Sequence, residues 1–265
     1  MDRRQFQHLL TRMALAGVAA PAWAQTAKVQ PEPVEDPTLV GLRAVLETAV
    51  RDTFDRHPDA WPDAMGEHVR ERWLNWQRFG PPRLSEGSPW TRFEAFESLA
   101  RFASKRLWEF ARNDLLVQVH KMTLADLERL RKGLTQKLSD GVWATAAFER
   151  IAFDHLHHRM LGTITEIHLA WLLENRDRYP RNPAARHAQI EAEDWEICSR
   201  VTRALCFTIF DTMAEQERRL RQAPSQAGTH VQMKAVLTTL GPAPTGRPVR
   251  AAAYGGAVKD PLQPR

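Results

Sequence analysis

GVWATAAFERIAFDHLHHRMLGTITEIHLAWLLENRDRY, residues 141–179, holds no proline, and its apolar residues recur every three or four positions. Phe153, Leu156, Met160, Ile164, Ile167 and Trp171 mark the stripe, which is the signature of an amphipathic helix. Continuous over 39 residues, such a helix would be about 58 Å long. Pro180 and Pro183 then break the chain, and residues 188–222 resume the same spacing through Ile190, Ile197, Val201, Ala204, Leu205 and Ile209. Two long helices joined by a short proline-containing connection predict an antiparallel hairpin. Residues 205–210 carry no charge and residues 148–173 are apolar all round, the pattern of segments buried between several helices. Gly162, beside Thr163, Ile164 and Thr165, is where a kink is expected.

Outward from the hairpin, the N-terminal half reads as shorter helices packed around it. Asp36 and Pro37 supply an N-cap and a proline at the first helical position. Leu39, Leu42, Leu46, Ala49, Val50 and Phe54 follow at helical spacing until His57-Pro58. A second helix is expected over residues 62–78, with Met65, Val69, Trp73 and Trp76 on one face, ended by Gly80-Pro81-Pro82. Ser88-Pro89 repeats the cap-plus-proline pattern ahead of a third helix carrying Phe93, Phe96, Ala100, Ala103, Leu107, Phe110 and Val117, which extends to about His120. Thr123 caps a fourth helix with Asp126 at its third position and Leu124, Leu127, Leu130, Leu134 and Leu138 along it. The fold class is therefore all-α, with roughly six helices in one domain over residues 36–222.

The flanks read differently. Residues 25–35 form a polar leader of no fixed structure. Residues 223–265, rich in Pro, Gly, Ala and Ser, read as a mostly disordered basic tail in which only residues 230–240 have the pattern to dock, as a short strand or helix. At the start of the chain Arg3, Arg4 and Phe6 precede an Ala-rich run over residues 13–20 and then Ala22-Trp23-Ala24. A basic region, an apolar region and a small-x-small site, in that order, make a cleavable export signal. With Arg12 interrupting the weakly apolar stretch, it resembles a twin-arginine signal, although ordinary secretion also accepts paired arginines. The resemblance implies handling by a bacterial export machinery, cleavage after Ala24, and a periplasmic or secreted protein. The apolar run is too short and too rich in Ala and Gly to span a bilayer of roughly 30 Å. No other stretch predicts an integral membrane segment.

The 265 residues carry a formal charge of +5, but residues 1–24 hold +2 of it and residues 223–265 hold +4. The body, at −1, lacks the basic face that displacing counterions from nucleic acid requires. Cys198 and Cys206 are the only cysteines. Eight positions apart on one helix, they lie about 12 Å apart along its axis and cannot bridge each other. They read either as buried apolar thiols or as partners in an intermolecular disulfide.

Glycines are scattered singly, with no phosphate-binding loop, dinucleotide fingerprint or nucleophile elbow. The one concentration of ligand-type side chains is Asp154-His155-Leu156-His157-His158. Asp154 and His158 lie one turn apart on a helix, as do His155 and His158, so two ligands to one metal could come from either pair. The same spacing is an ordinary helix-stabilising pair. His68 and Glu71 are further candidates, off the apolar stripe of their helix. Eight tryptophans follow residue 24. They read as inter-helix packing, while Trp61, Trp73, Trp76 and Trp90, near the turn at residues 80–82, leave open an exposed aromatic patch. The charge-rich runs at residues 129–137 and 215–221 read as solvated faces or helix ends. Two functional readings follow. One is a non-enzymatic exported component with no cofactor that binds, assembles or assists through its helical surface, with a protein partner or self-association and a groove lined by Trp and Leu. The other is a metal- or haem-dependent helical bundle using Asp154, His155 and His158, which would then point inward.

Overall fold

The computed structural model describes residues 36–55, 69–70, 73–75, 84–128, 144–227 and 230–243. Among them every regular element is helical: α1 (Pro37–Phe54), a 3-10 turn (Pro89–Thr91), α2 (Phe93–Lys121), α3 (Ala144–Glu174), α4 (His187–Gln222), a second 3-10 turn (Pro224–Ala227) and α5 (Val231–Leu240). The chain is all-α, as its periodicity indicates. The expected second helix is seen only at residues 69–70 and 73–75, and Leu130, Leu134 and Leu138 of the fourth lie outside the described residues.

α3 and α4 run antiparallel against each other. The partner number falls on α4 as it rises on α3: Glu217 meets Ala144 and Thr145, Phe210 meets Phe148 with centroids 6.3 Å apart, and Phe207 stacks on Phe153 at 5.2 Å. Further along, the Cys206 sulfur lies 3.8 Å from that of Met160, and Asp194 lies 3.6 Å from His168. Residues 204–210 of α4 are buried on every face, because α1, α2 and α3 all pack on this helix. α3 runs through Gly162 without interruption, so the expected kink does not break the helix. It stops at Glu174, five residues short of the expected end. There the Asn175 side chain donates to the Trp171 carbonyl at 2.9 Å, and an amide that bonds the backbone competes with continuation of the helix. The chain then turns so that Tyr179 stacks back on Trp171 at 5.5 Å. The all-round burial expected for residues 148–173 is also too broad. Leu169 and Leu173 are 61% and 72% exposed, since no described helix covers that face.

Capping at the starts of helices follows the sequence twice and departs from it once. Asp36 accepts from the amides of Thr38 and Leu39 and starts α1. Thr123 and Asp126 exchange hydrogen bonds as a capping box, with the Thr123 amide donating to Asp126 at 2.9 Å and the Asp126 amide donating to Thr123 Oγ1 at 3.3 Å. Ser88, by contrast, caps the 3-10 turn rather than the long helix. α2 begins at Phe93 with no side-chain cap. The tight turn aims Trp90 into the core, where it is fully buried and stacks on Trp171 at 5.3 Å.

α5 takes the helical of its two expected forms and packs on α1. Contact is close enough that a Cβ on Gly41 would overlap the Gln232 carbonyl and lie 2.7 Å from Val236 Cγ2. Glycine is required there by space rather than by conformation.

Residues 215–221 are a helix end, one of the two expected readings, with Glu215 and Arg219 on a solvated side and other charges turned inward. Glu217 and Arg221 are both fully buried and paired one turn apart. The Glu217 carboxylate also accepts from the amides of Ala144 at 2.9 Å and Thr145 at 2.8 Å and from Thr145 Oγ1 at 2.6 Å. The first turn of α3 is thus capped by a side chain of α4. Removing one partner of a buried pair leaves the other charge uncompensated, which costs about 3–5 kcal/mol. Glu217→Ala is expected to lose stability of that order in urea unfolding, and Glu217→Gln, which keeps an acceptor for the α3 amides, to lose less.

Candidate functional site

Three small side chains open a groove on the molecule. Ala144 and Ala147, in the first turns of α3, and Ala235, on α5, face a space that larger side chains would fill. Leu42 of α1, Leu127 and Leu240 complete the apolar walls of a groove of about 540 Å³. Its polar side chains are Thr38, Gln232 and Thr239, and no charged residue lines it among those described. Tryptophan, expected beside leucine in a binding groove, is likewise not among the described lining residues. Three elements far apart in sequence form the walls, so no local pattern announces the site. Ala144 and Ala147 lie off the apolar stripe of α3, and Ala235 lies off that of α5.

A second concentration of chemistry lies at the other end of the hairpin. Asp194 accepts from Trp90 Nε1 at 3.1 Å and pairs with Arg181. Glu193, almost fully buried, accepts from the Ser85 amide and, at 3.0 Å, from Ser85 Oγ. His168 lies 3.6 Å from Asp194 and beside the Trp90 ring, 5.6 Å between centroids. Burial pushes the His168 pKa below its ordinary value against the opposing pull of Asp194, with Arg181 adding to the fall. His168 is therefore the neutral neighbour of Asp194 rather than its ion-pair partner. Both carboxylates are occupied by protein donors, so the cluster fastens the stretch before α2 to the hairpin. The sequence reading missed it, because Ser85, Arg181 and the Glu193-Asp194 pair carry no motif.

The histidine run does not assemble into a centre. Asp154, His155 and His158 are exposed rather than inward-pointing. His155 comes 3.5 Å from Asp114 of α2, a carboxylate that also meets Arg159 at 3.5 Å. Among the described residues no group of three His, Cys, Asp or Glu side chains is placed to hold a metal ion. His157 is the partly buried member and stacks on Phe153 with centroids 5.9 Å apart. Burial lowers its pKa, and Arg203 adds to the fall. His68 and Glu71 lie outside the described residues.

Cys198 and Cys206 are free and buried. Burial raises the Cys198 thiol to about 12 and Cys206 higher still. Both are thus protonated and enclosed, which removes them from disulfide exchange with another chain. The expected aromatic patch loses Trp90 to the core, and Trp73 packs edge-on against Phe93 at 5.4 Å. Trp61 and Trp76 lie outside the described residues. Comparison of the chain with protein-family models, with curated proteins and with solved structures finds no match.

The two buried histidines make stability depend on pH. In the unfolded chain each returns to the ordinary value near 6.5. Below that pH the unfolded state takes up protons that the folded state refuses, so stability is full above pH 6.5 and falls as the pH drops. The slope for His168 is at most about 1.4 kcal/mol per pH unit. Urea midpoints measured from pH 7.5 to 5 are expected to fall, and His168→Gln is expected to flatten the decline.

Proposed function

We propose that this chain is an exported, non-enzymatic binding protein that carries an elongated apolar small molecule of acyl-chain type in the groove between α1, α3 and α5. The observation that carries the reading is the groove itself. Its volume of about 540 Å³ lies within the roughly 300–1,000 Å³ of small-molecule sites, and its walls are apolar with a few neutral polar groups. A charged ligand would find no partner on the described lining. The wall from Val231 to Leu240 is about 13 Å long at a helical rise of about 1.5 Å per residue. A chain-like molecule can lie along this wall, with its length against α5 and its sides against the apolar residues of α1 and α3.

Metal or haem chemistry has weaker support, because Asp154, His155 and His158 face solvent and, among the described residues, His155 alone of the three meets an acid from another helix. Export is the other half of the proposal and rests on Arg3, Arg4, Phe6, Ala22 and Ala24.

The neutral fluorophore N-phenylnaphthylamine, titrated into the mature protein, is expected to brighten with micromolar affinity. Ala147→Trp and Ala235→Trp, which fill the groove, are each expected to weaken it at least tenfold while leaving the helical circular-dichroism signal unchanged. Unaltered binding in both variants would remove the groove as the site. For export, the mature chain recovered from the periplasm is expected to begin at Gln25. Replacing Arg3 and Arg4 together by Lys is expected to hold the precursor in the cytoplasm, and continued export of that variant would assign the signal to ordinary secretion.

A further inference from the structure

We infer that α5 is a strap that opens from α1 as a unit to admit the groove's ligand and closes over it, a reading that rests on the groove being the binding site. α5 supplies one whole wall of the groove, from Val231 to Leu240. Most of its apolar contact is a small cluster of its own, in which Met233, Val236 and Leu237 close on Val45 of α1 and Leu220 of α4, while Leu240 also packs against the main core. Six of its ten residues are exposed. Local opening is easiest where few buried apolar contacts must break.

The hydrogen bonds that α5 makes lie within the element and its caps. His230 accepts from the Met233 amide at 3.3 Å. Thr238 and Thr239 donate to the carbonyls of Lys234 and Ala235 at 2.8 and 2.9 Å. The Gly241 amide closes the other end onto Leu237 and Thr238. Among the described residues no hydrogen bond or ion pair of α5 reaches another helix, so none has to break when it leaves α1. The face it leaves carries no side chain at Gly41, on which the Gln232 backbone and the Val236 side chain of α5 pack directly. A molecule in the groove would touch α5 on one side and Leu127, Ala144 and Ala147 on the other, tying the strap to the body of the fold. Occupancy then shifts the open and closed populations toward closed.

Hydrogen exchange on the full mature chain, read by mass spectrometry with and without N-phenylnaphthylamine, tests this directly. In the free protein the α5 amides are expected to exchange at least tenfold faster than those of α1 and of residues 201–210 in α4. Saturating probe is expected to slow α5 at least tenfold and to leave α2 unchanged. Gly41→Ala forces the two helices apart without weakening α1, since alanine is the better helix former. It is expected to speed α5 exchange further and to cut probe affinity, and Met233→Ala, which only thins the contact, is expected to shift both in the same direction. Exchange of α5 in step with α1 and α4 would overturn the strap whether or not the probe binds. Fast α5 exchange with no probe binding would leave an independently opening helix, overturn its coupling to a ligand and remove the groove reading separately.

Discussion

The Glu217 carboxylate, buried at the start of α3, is the constraint on which the rest of the structure turns. The first amides of any helix have no partner within it, and inside a core they cannot turn to water. Glu217 accepts from two of them and from Thr145 Oγ1, while Arg221 one turn further along α4 balances its charge. This fixes where α3 begins and at what height α4 passes it. At the opposite end Asp194 and Glu193 gather Arg181, Trp90 and Ser85. Polar contacts at both ends therefore set the register of a hairpin whose middle is held by apolar packing, which by itself tolerates sliding.

With that register set, the position of the groove follows. Ala144 both donates its amide to Glu217 and lines the groove. Leu42 of α1 and the face of α5 lie opposite. Filling the gap from α3 would need larger residues in its first turns, beside the buried cap. The groove thus lies between the capped start of α3 on one side and α5, which packs on α1, on the other.

Much of the fold was legible in the residues. The helical stripes, the Asp36-Pro37 start and the Thr123–Asp126 box express themselves locally, because backbone capping and helical periodicity involve partners within a few positions. Errors arose where a partner came from far along the chain. Ser88-Pro89 looked like the start of a long helix, but burial of Trp90 against Trp171 turned it into a 3-10 turn. Residues 215–221 read as a solvated face or a helix end, and they are a helix end, but Glu217 and Arg221 turn inward because Ala144 and Thr145 of α3 need an acceptor. The histidine run drew attention by density, yet density places side chains around a helix rather than in one spot, and Asp154, His155 and His158 ended outside.

The sequence by itself determined the all-α class, the two long helices and their antiparallel return, because these depend on periodicity and on prolines that no tertiary contact can override cheaply. It also placed the two cysteines too far apart to bridge each other. Only the tertiary structure decided which charged residues go inside, which tryptophans leave the surface, and that alanines on α3 and α5 face a common space. Each of those outcomes depends on pairs such as Glu217 with Ala144, Asp194 with Trp90 and Ala235 with Ala147, whose members are separated by tens of residues and come together only when the helices pack.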